Sequence, residues 1–569
     1  MTTRTKAIPA HDGQMTKKIV ISSNRATPVS VLEAGSIFVL DKGVTLSTSA
    51  TAILATGTAT ARNFYINGTV ISASGYAFQF GAASVAGSRS QFVVSSSAKV
   101  SGKDYGLRID SGGLDLINDG TIETRLTAIT VTGKATHLVN TGLIESSAGI
   151  GVSVSGGNAV VTNHGTTHAA ANAVQLSGSA ALFTNNGELR SDKASAIVSS
   201  GKAAILTNHG TAIAYGTAIA SSGANATITN DGAVTSSHAT AIRATGDAAI
   251  VTNSGTITAA KDAIVLTGDD GKVTNNGLIK SAAYAISVSA DGAIITNNRT
   301  ITAGGGVKLA GTDGTVTNYG TITGTASAAT IDFSAAVKAS LHNSGLIKST
   351  GTAFLGGSSA DSVFNSGTIT GAITLGGGND YFDGTGGKVN GTVYGGSGND
   401  VYVISDAAIK LSESAGGGTD LVKTTVSFTL GANFENLTLN GTAAINATGN
   451  ALANQLHGNS GKNIIDGKAG NDIIWGHAGD DILTGGAGAD QFVFATKDGK
   501  DIITDFMPTG ASHDILDLTG LASITDYTDL KLHHMSQVGS DVLIDGLNGD
   551  SILLKGVKMA ALDAGDFLF

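Results

Sequence analysis

Residues 263–282 read AIVLTGDDGKVTNNGLIKSA, and residues 285–304 read AISVSADGAIITNNRTITAG. Both lines carry an apolar residue, one spacer and then Asn-x-Gly-x-Ile, with Arg299 standing where the second should have glycine. Followed in both directions, the element recurs at Asn118, Asn140, Asn163, Asn185, Asn208, Asn230, Asn253, Asn275, Asn297, Asn318, Asn343 and Asn365, at spacings of 21 to 25 residues. Two residues before each asparagine the side chain is apolar, from Leu116 and Leu138 to Leu341 and Val363. Four residues after it a second apolar position begins, as at Ile122, Ile144 and Ile257, with Thr167 and Ala212 departing. Such alternation is the period of a strand with one face inward. A third apolar pair, for example Ala241-Ile242 or Ala263-Ile264, completes the unit.

Three short strands in about 22 residues cannot close a core alone, but stacked copies share one continuous core. The expectation is an all-β chain whose main body is a right-handed parallel β-helix of about 22 residues per rung with Asn-x-Gly corners. Glycine is expected to supply a positive φ at each corner. The asparagine amides are expected to bond from rung to rung, and Arg299 to distort its corner. The repeat resembles those of pectin-lyase-like β-helices and autotransporter passengers, a likeness that implies shape more than activity.

Composition agrees with thin repeated layers. Of 569 residues 79 are glycine, 3 proline and 1 tryptophan, and only 14% are charged, while 41% are hydrophobic and leave ample apolar surface to bury. Cysteine is absent, which excludes disulfides and thiolate zinc sites. The first residues, MTTRTKAIPAHDGQMTKKIV, lack the apolar core of a Sec signal. No stretch approaches the roughly 20 apolar residues of a membrane span. Residues 1–374 carry 24 Lys+Arg against 20 Asp+Glu, a net +4, and residues 375–569 carry 10 against 24, a net −14. An acidic last third argues against nucleic acid and for cations as partners.

That acidic third holds a second repeat. GNSGKNIID (458–466), GKAGNDIIW (467–475), GHAGDDILT (476–484) and GGAGADQFV (485–493) run without a break. A degenerate copy, GNALANQLH, precedes them at 449–457, and isolated copies lie at 375–383 and 395–403. They match G-G-x-G-x-D-x-U-x and resemble the RTX (hemolysin-type) calcium-binding nonapeptide. The residues read the same way. Glycine-rich turns alternate with three-residue strands that send Ile465, Ile474, Leu483 and Phe492 inward. Two nonapeptides per turn of a calcium-binding parallel β-roll stack residues 18 apart, so Asp472 meets Asp490 and Asp481 sits over Asn463. Carboxylates so placed need a cation between them, and all-oxygen ligation suits Ca2+.

The candidate ligands for several Ca2+ ions are therefore Asp472, Asp481, Asp490 and Asn463, with Asp380 and Asp400 upstream. The loop positions are Gly461, Gly467, Gly470, Gly476, Gly479, Gly485, Gly486 and Gly488. Asn463 and Asn454 replace aspartate and weaken the sites they join, and Lys468 brings a positive charge near a loop. Downstream, GADQFVF (488–494), DIITDF (501–506), DILDLTGL (514–521) and DAGDFLF (563–569) resemble the tail of RTX proteins. That resemblance implies type I secretion machinery as a partner, an extracellular or cell-surface location and a Gram-negative source. Calcium would then drive folding after export.

The expected organisation is a flexible head (1–25), a cap with irregular rungs (26–113) and the regular β-helix (114–374). First RTX-like repeats and connecting rungs (375–448), the RTX β-roll (449–493) and a C-terminal β cap with the export signal (494–569) follow. No HExxH, GxSxG or DPH sequence is present, and Ala, Ser, Thr and Gly dominate the rungs. His164 and His209 fall on corners, and His533, His534 and Trp475 lack a constellation. The favoured reading is a non-enzymatic structural or adhesive protein that meets extracellular polysaccharide, a cell surface or its own copies. The alternatives are a polysaccharide-modifying enzyme, lyase or epimerase, and a self-assembling surface-layer protein.

Overall fold

The computed structural model describes residues 4–9, 15–31, 35–56, 62–81, 89–547 and 549–569. They form two compact units, Met1–Gly311 with Thr321–Ala326, and Thr312–Gly320 with Ser327–Phe569.

The first unit is a parallel β-solenoid. In each rung a short strand ends on the repeat asparagine, as in Leu114–Asn118, His137–Asn140 and Val160–Asn163. These strands pair in parallel with Leu116 on Leu138 on Val161 and asparagine on asparagine. The next strand, Thr121–Thr124 in one rung and Leu143–Ser146 in the following one, sets Ile122 on Ile144. A third strand sets Ile129 on Val152. All of these apolar side chains are buried, each contributing about 1.5–3 kcal/mol. At the N-terminal side Phe38, Phe64 and Phe92 stack in register. Phe78 packs edge-on against Phe64 and Phe92, with ring centroids 4.9 and 4.6 Å apart. Within residues 1–25, Arg4–Pro9 pairs antiparallel with Met15–Ile21.

Each repeat asparagine is buried, and inside the ladder its amide both donates and accepts; at the start of the ladder Asn118 leaves its Oδ1 without a partner. Asn208 donates to Asn230 Oδ1 at 2.8 Å, to the Gly210 carbonyl at 3.1 Å and to the Ala233 carbonyl at 3.2 Å, and accepts from Asn185 at 2.7 Å. The same amide-to-amide bond links Asn118 through Asn297. The expected ladder is present.

The corner glycines have a different reason from the expected one. None from Gly120 to Gly277 adopts a positive φ. A Cβ on Gly187 would instead run into the Gly165 carbonyl oxygen of the preceding rung, and the same holds at Gly165 and Gly210. Positive φ falls on the other turn, at Ala135, Asn158, Ala180, Ala203, Asn225, Ala248 and Asp270, with φ between 51° and 58°. At Arg299 the corner is kept rather than rebuilt. Asn297 still donates to the residue-299 carbonyl at 3.4 Å. The Thr300 N–H bond to the Gly277 carbonyl is 3.2 Å long, against 2.9 Å for Leu278 to Gly255 one rung earlier. Gly187→Ala is expected to cost about 1–3 kcal/mol by the same overpacking, read as a lowered midpoint in chemical denaturation; no change would contradict the close-approach explanation. His164 and His209 lie on exposed corners, His164 beside Asn186 and His209 with Asp231 at 3.0 Å.

The second unit opens with the same ladder, Asn318 to Asn343 to Asn365. A column of buried side chains then passes from these rungs into the nonapeptides without interruption. Leu341, Val363, Phe382, Tyr402, Val422, Leu437, Leu456, Ile474, Phe492 and Leu516 stack in successive parallel pairs. A facing sheet stacks Ala447, Ile465, Leu483 and Ile503. Ile465, Ile474, Leu483 and Phe492, the residues expected to point inward, are fully buried. An antiparallel hairpin, Asp541–Leu547 with Asp550–Leu554, closes the facing sheet on Lys500–Ile503. The final strand, Phe567–Leu568, pairs with Ile515–Gly520.

Candidate metal centre

Alternation puts the residue two before each buried core residue on the inner side of its strand entry. Along the column that begins at Val363 those residues are Asp361, Asp380, Asp400, Asp420, Glu435, Asn454, Asp472, Asp490 and Asp514. The backbone N–H of each of Asp361, Asp380 and Asp400 donates to the Oδ1 of the next acid, at 2.7–2.8 Å. Asp420 donates likewise to Glu435 at 2.8 Å. Farther on, Asn454, Asp472 and Asp490 donate to Asp472, Asp490 and Asp514 at 2.7–2.9 Å. On the opposite side Asn463 donates to Asp481, and Asp481 to Asp501, at 2.7 and 2.9 Å.

One oxygen of each aspartate is thus engaged. The other, Oδ2 of Asp380, Asp400, Asp420, Asp472, Asp481 and Asp490, is buried with no hydrogen-bond partner. An ionised oxygen left so in a protein interior costs several kcal/mol unless something positive meets it. Burial accordingly pushes the carboxyls up, Asp472 and Asp481 to about 7, Asp380 and Asp501 to about 8, with neighbouring acids adding to the effect. Asp490 moves the same way, again chiefly by burial.

The glycines divide into two roles. Gly467, Gly476 and Gly485 open each nonapeptide, and a Cβ there would collide with Oδ2 of Asp472, Asp481 and Asp490 respectively. They keep clear the space beside the partnerless oxygen. Gly470, Gly479, Gly488 and Gly486 hold φ values of 124°, 144°, 151° and 103°, which only glycine adopts readily. Gly461 has no room for a Cβ because the Thr442 and Ala443 carbonyls approach it. At the second repeat position Lys468 and His477 take φ values of 81° and 61° in place of glycine. The Lys468 ammonium turns outward to Asp466 at 2.7 Å.

The asparagines behave differently from the aspartates they replace. Asn463 accepts from the Asn459 N–H at 2.8 Å and donates to the Ile445 carbonyl at 2.6 Å. Asn454 donates to the Phe434 and Glu435 carbonyls at 2.9 and 3.3 Å. With these bonds made, neither leaves an orphaned oxygen.

Residues 457–492 match the RTX calcium-binding nonapeptide repeat in four copies. This segment is an RTX array. RTX repeats bind calcium ions, and the orphaned carboxylate oxygens, with glycine keeping clear the space beside them, fit a hard cation. No curated protein matches the chain. Among solved structures, the extracellular lipase LipA from Serratia marcescens is similar at 18% identity over 37% of this chain and 40% of its own, with a TM-score of 0.15. The chain therefore spans well under half the length of that lipase.

Around the RTX array the structure brings Asp380 and Asp400 into one register with Asp361, Asp420 and Glu435. Asp501 and Asp514 extend the RTX columns in the same manner. The signal was present as an acid two residues before an apolar strand residue, at spacings of 15 to 24, and partial nonapeptides precede two of these acids, GGSSAD (356–361) and AGGGTD (415–420).

Without calcium these raised carboxyls make the folded state bind more protons than the unfolded one, whose aspartates titrate near 4. Stability is then fully present at low pH and lost as pH rises through about 6 to 8, where Asp400, Asp472, Asp481 and Asp501 ionise. Metal-free protein is expected to melt at a higher temperature at pH 5 than at pH 8. Circular-dichroism melts in metal-free buffer check this, and a higher melting point at pH 8 would contradict it.

Proposed function

We propose that this is a secreted calcium-folded protein with a structural or adhesive role at the cell surface or in the extracellular matrix, exported by type I secretion from a Gram-negative bacterium. The observation that carries the reading is the column of buried aspartates with partnerless oxygens. A calcium-poor cytosol leaves that column unsatisfied, and millimolar extracellular calcium completes it. The proposed ligands are Oδ2 of Asp472, Asp481 and Asp490 and the carbonyls of their glycine loops, with Asp380 and Asp400 serving the upstream turns; Asn463 occupies its turn with its own amide. Among the described residues no helix is long and apolar enough to cross a membrane.

An adhesive role draws support from a groove in the second unit. Tyr319, 62% exposed, stands beside His342 and Phe364, whose rings stack at 4.6 Å and 2°, and Phe364 meets Tyr381 at 5.5 Å. With Asp383 and Thr385 they line a cavity of about 210 Å³. Aromatic faces beside polar groups suit extracellular polysaccharide. Binding of the protein to purified polysaccharides and whole cells is expected in calcium, is lost with chelator and is weakened by Tyr319→Ala. Equal binding with Tyr319→Ala would remove the groove from the account. Turnover of a uronate polysaccharide would replace it with a lyase or epimerase.

A surface-layer role has one observation of its own. Leu182, Ile205, Ile250 and Ile294 open first strands of the first unit and are 37–46% exposed. Sheets or filaments formed on calcium addition would favour self-assembly over adhesion.

A further inference from the structure

The acids that enter the column between the Asn ladder and the RTX array include three that meet at one point. Ligand oxygens of Asp400, Glu413 and Asp420 all lie within 4.8 Å of one another, and all three residues are buried. Asp400 and Asp420 are 1% and 0% exposed, and the Oδ2 of each has no hydrogen-bond partner. Glu413 comes from outside the column, just after strand Lys410–Ser412. It is held by the Tyr402 hydroxyl on Oε1 and by the Gly396 and Ser414 N–H groups on Oε2, at 3.2 and 3.3 Å. Gly395 faces the same point. A Cβ there would collide with Glu413 Oε1, the Tyr402 hydroxyl and Asp400 Oδ2 together.

We propose that Asp400, Glu413 and Asp420 bind one divalent cation, best fitted by Ca2+, at a site separate from the RTX array. Only oxygen is offered, which selects hard cations over zinc or copper. Ligand oxygens that all lie within 4.8 Å of one another can share one ion at about 2.3–2.6 Å, and a buried all-protein set suits Ca2+ better than Mg2+, which dehydrates reluctantly and keeps several waters. Three carboxylates concentrate formal charge at a buried point, and the charged neighbours acting on them are other acids, Glu435 included. Burial raises all three, Asp400 and Asp420 to about 6. The bound ion tethers the loop through Glu413 and Ser414 to strands Val401–Ile404 and Leu421–Thr424.

This deepens the calcium reading, on whose aspartate column it rests for Asp400 and Asp420, by adding Glu413 from outside that column, and it stands whether or not the loops at 457–492 are loaded. The test uses full-length protein crystallised with terbium, an all-oxygen substitute for calcium. An anomalous peak is expected about 2.3–2.6 Å from oxygens of Asp400, Glu413 and Asp420. Absence of that peak overturns the proposal whatever the loops at 457–492 hold, and points to three acids held by shared protons. In solution, calcium bound per chain is expected to fall by about one ion in Glu413→Gln and to stay at that lower value in Glu413→Gln/Asp420→Asn. A count equal to the wild type in both variants also overturns it. Peaks at the RTX loops are scored separately, so failure of either site is distinguishable from failure of the other.

Discussion

Asp481→Asn is expected to raise the calcium concentration at half-folding by at least about 10-fold while making the metal-free protein more stable. Both signs follow from the geometry. Asparagine keeps an oxygen for the Asn463 N–H, which Asp481 accepts at 2.7 Å. It removes the charge on Oδ2, the oxygen that is buried without a partner. Loss of a charged ligand weakens binding by at least about 10-fold, since even altering a group that merely supports a ligand costs about 10- to 100-fold. Removal of an uncompensated buried charge relieves the metal-free fold. The chain already contains the outcome at Asn463, whose amide is satisfied by the Ile445 carbonyl and Asn459. Far-UV circular dichroism of the full chain during calcium titration, with melts of the metal-free form, reads both effects. An unchanged midpoint would mean that Asp481 is not a ligand.

A large change is also expected in the first unit. Asn208→Ala removes one buried amide that makes four hydrogen bonds, three as donor and one as acceptor. The Gly210 and Ala233 carbonyls lose a donor, and so does the Asn230 side chain; Asn185 loses an acceptor. At roughly 1 kcal/mol for each bond, with added cost for groups left buried and unpaired, the expected loss is about 3–5 kcal/mol. Because each rung contacts only its neighbours, the damage should be local. Amide exchange is expected to quicken in the rungs of Asn185, Asn208 and Asn230 and to stay slow around Asn118. Uniform loss across the unit would contradict a ladder whose bonds act between adjacent rungs.

Much of this was legible in the residues. Asparagine at a spacing of 21 to 25 with an apolar partner two residues before gave the strands, their parallel register and the amide ladder. The nine-residue period identified the acids at 472, 481 and 490 as one set. What escaped depends on neighbours distant in sequence. Corner glycine is required by the carbonyl of the rung before it, and a local reading assigns it to φ. Glu413 joins Asp400 and Asp420 because a glycine-rich loop returns over them, at separations of 13 and 7 residues that match neither repeat. Asp361 and Asp420 follow partial nonapeptides, GGSSAD and AGGGTD, each one glycine short of the pattern, whereas Asp501 and Asp514 keep a single glycine each and are placed by the continuity of the core column.

Hydrogen–deuterium exchange of the full chain, with and without calcium at pH 7.5, tests the link between the aspartate columns and folding most directly. Peptides within residues 455–503 are expected to be protected only when calcium is present, whereas the asparagine-ladder rungs from 118 to 297 stay protected in both states. Equal protection of 455–503 in metal-free protein would contradict the claim that calcium completes this part of the fold.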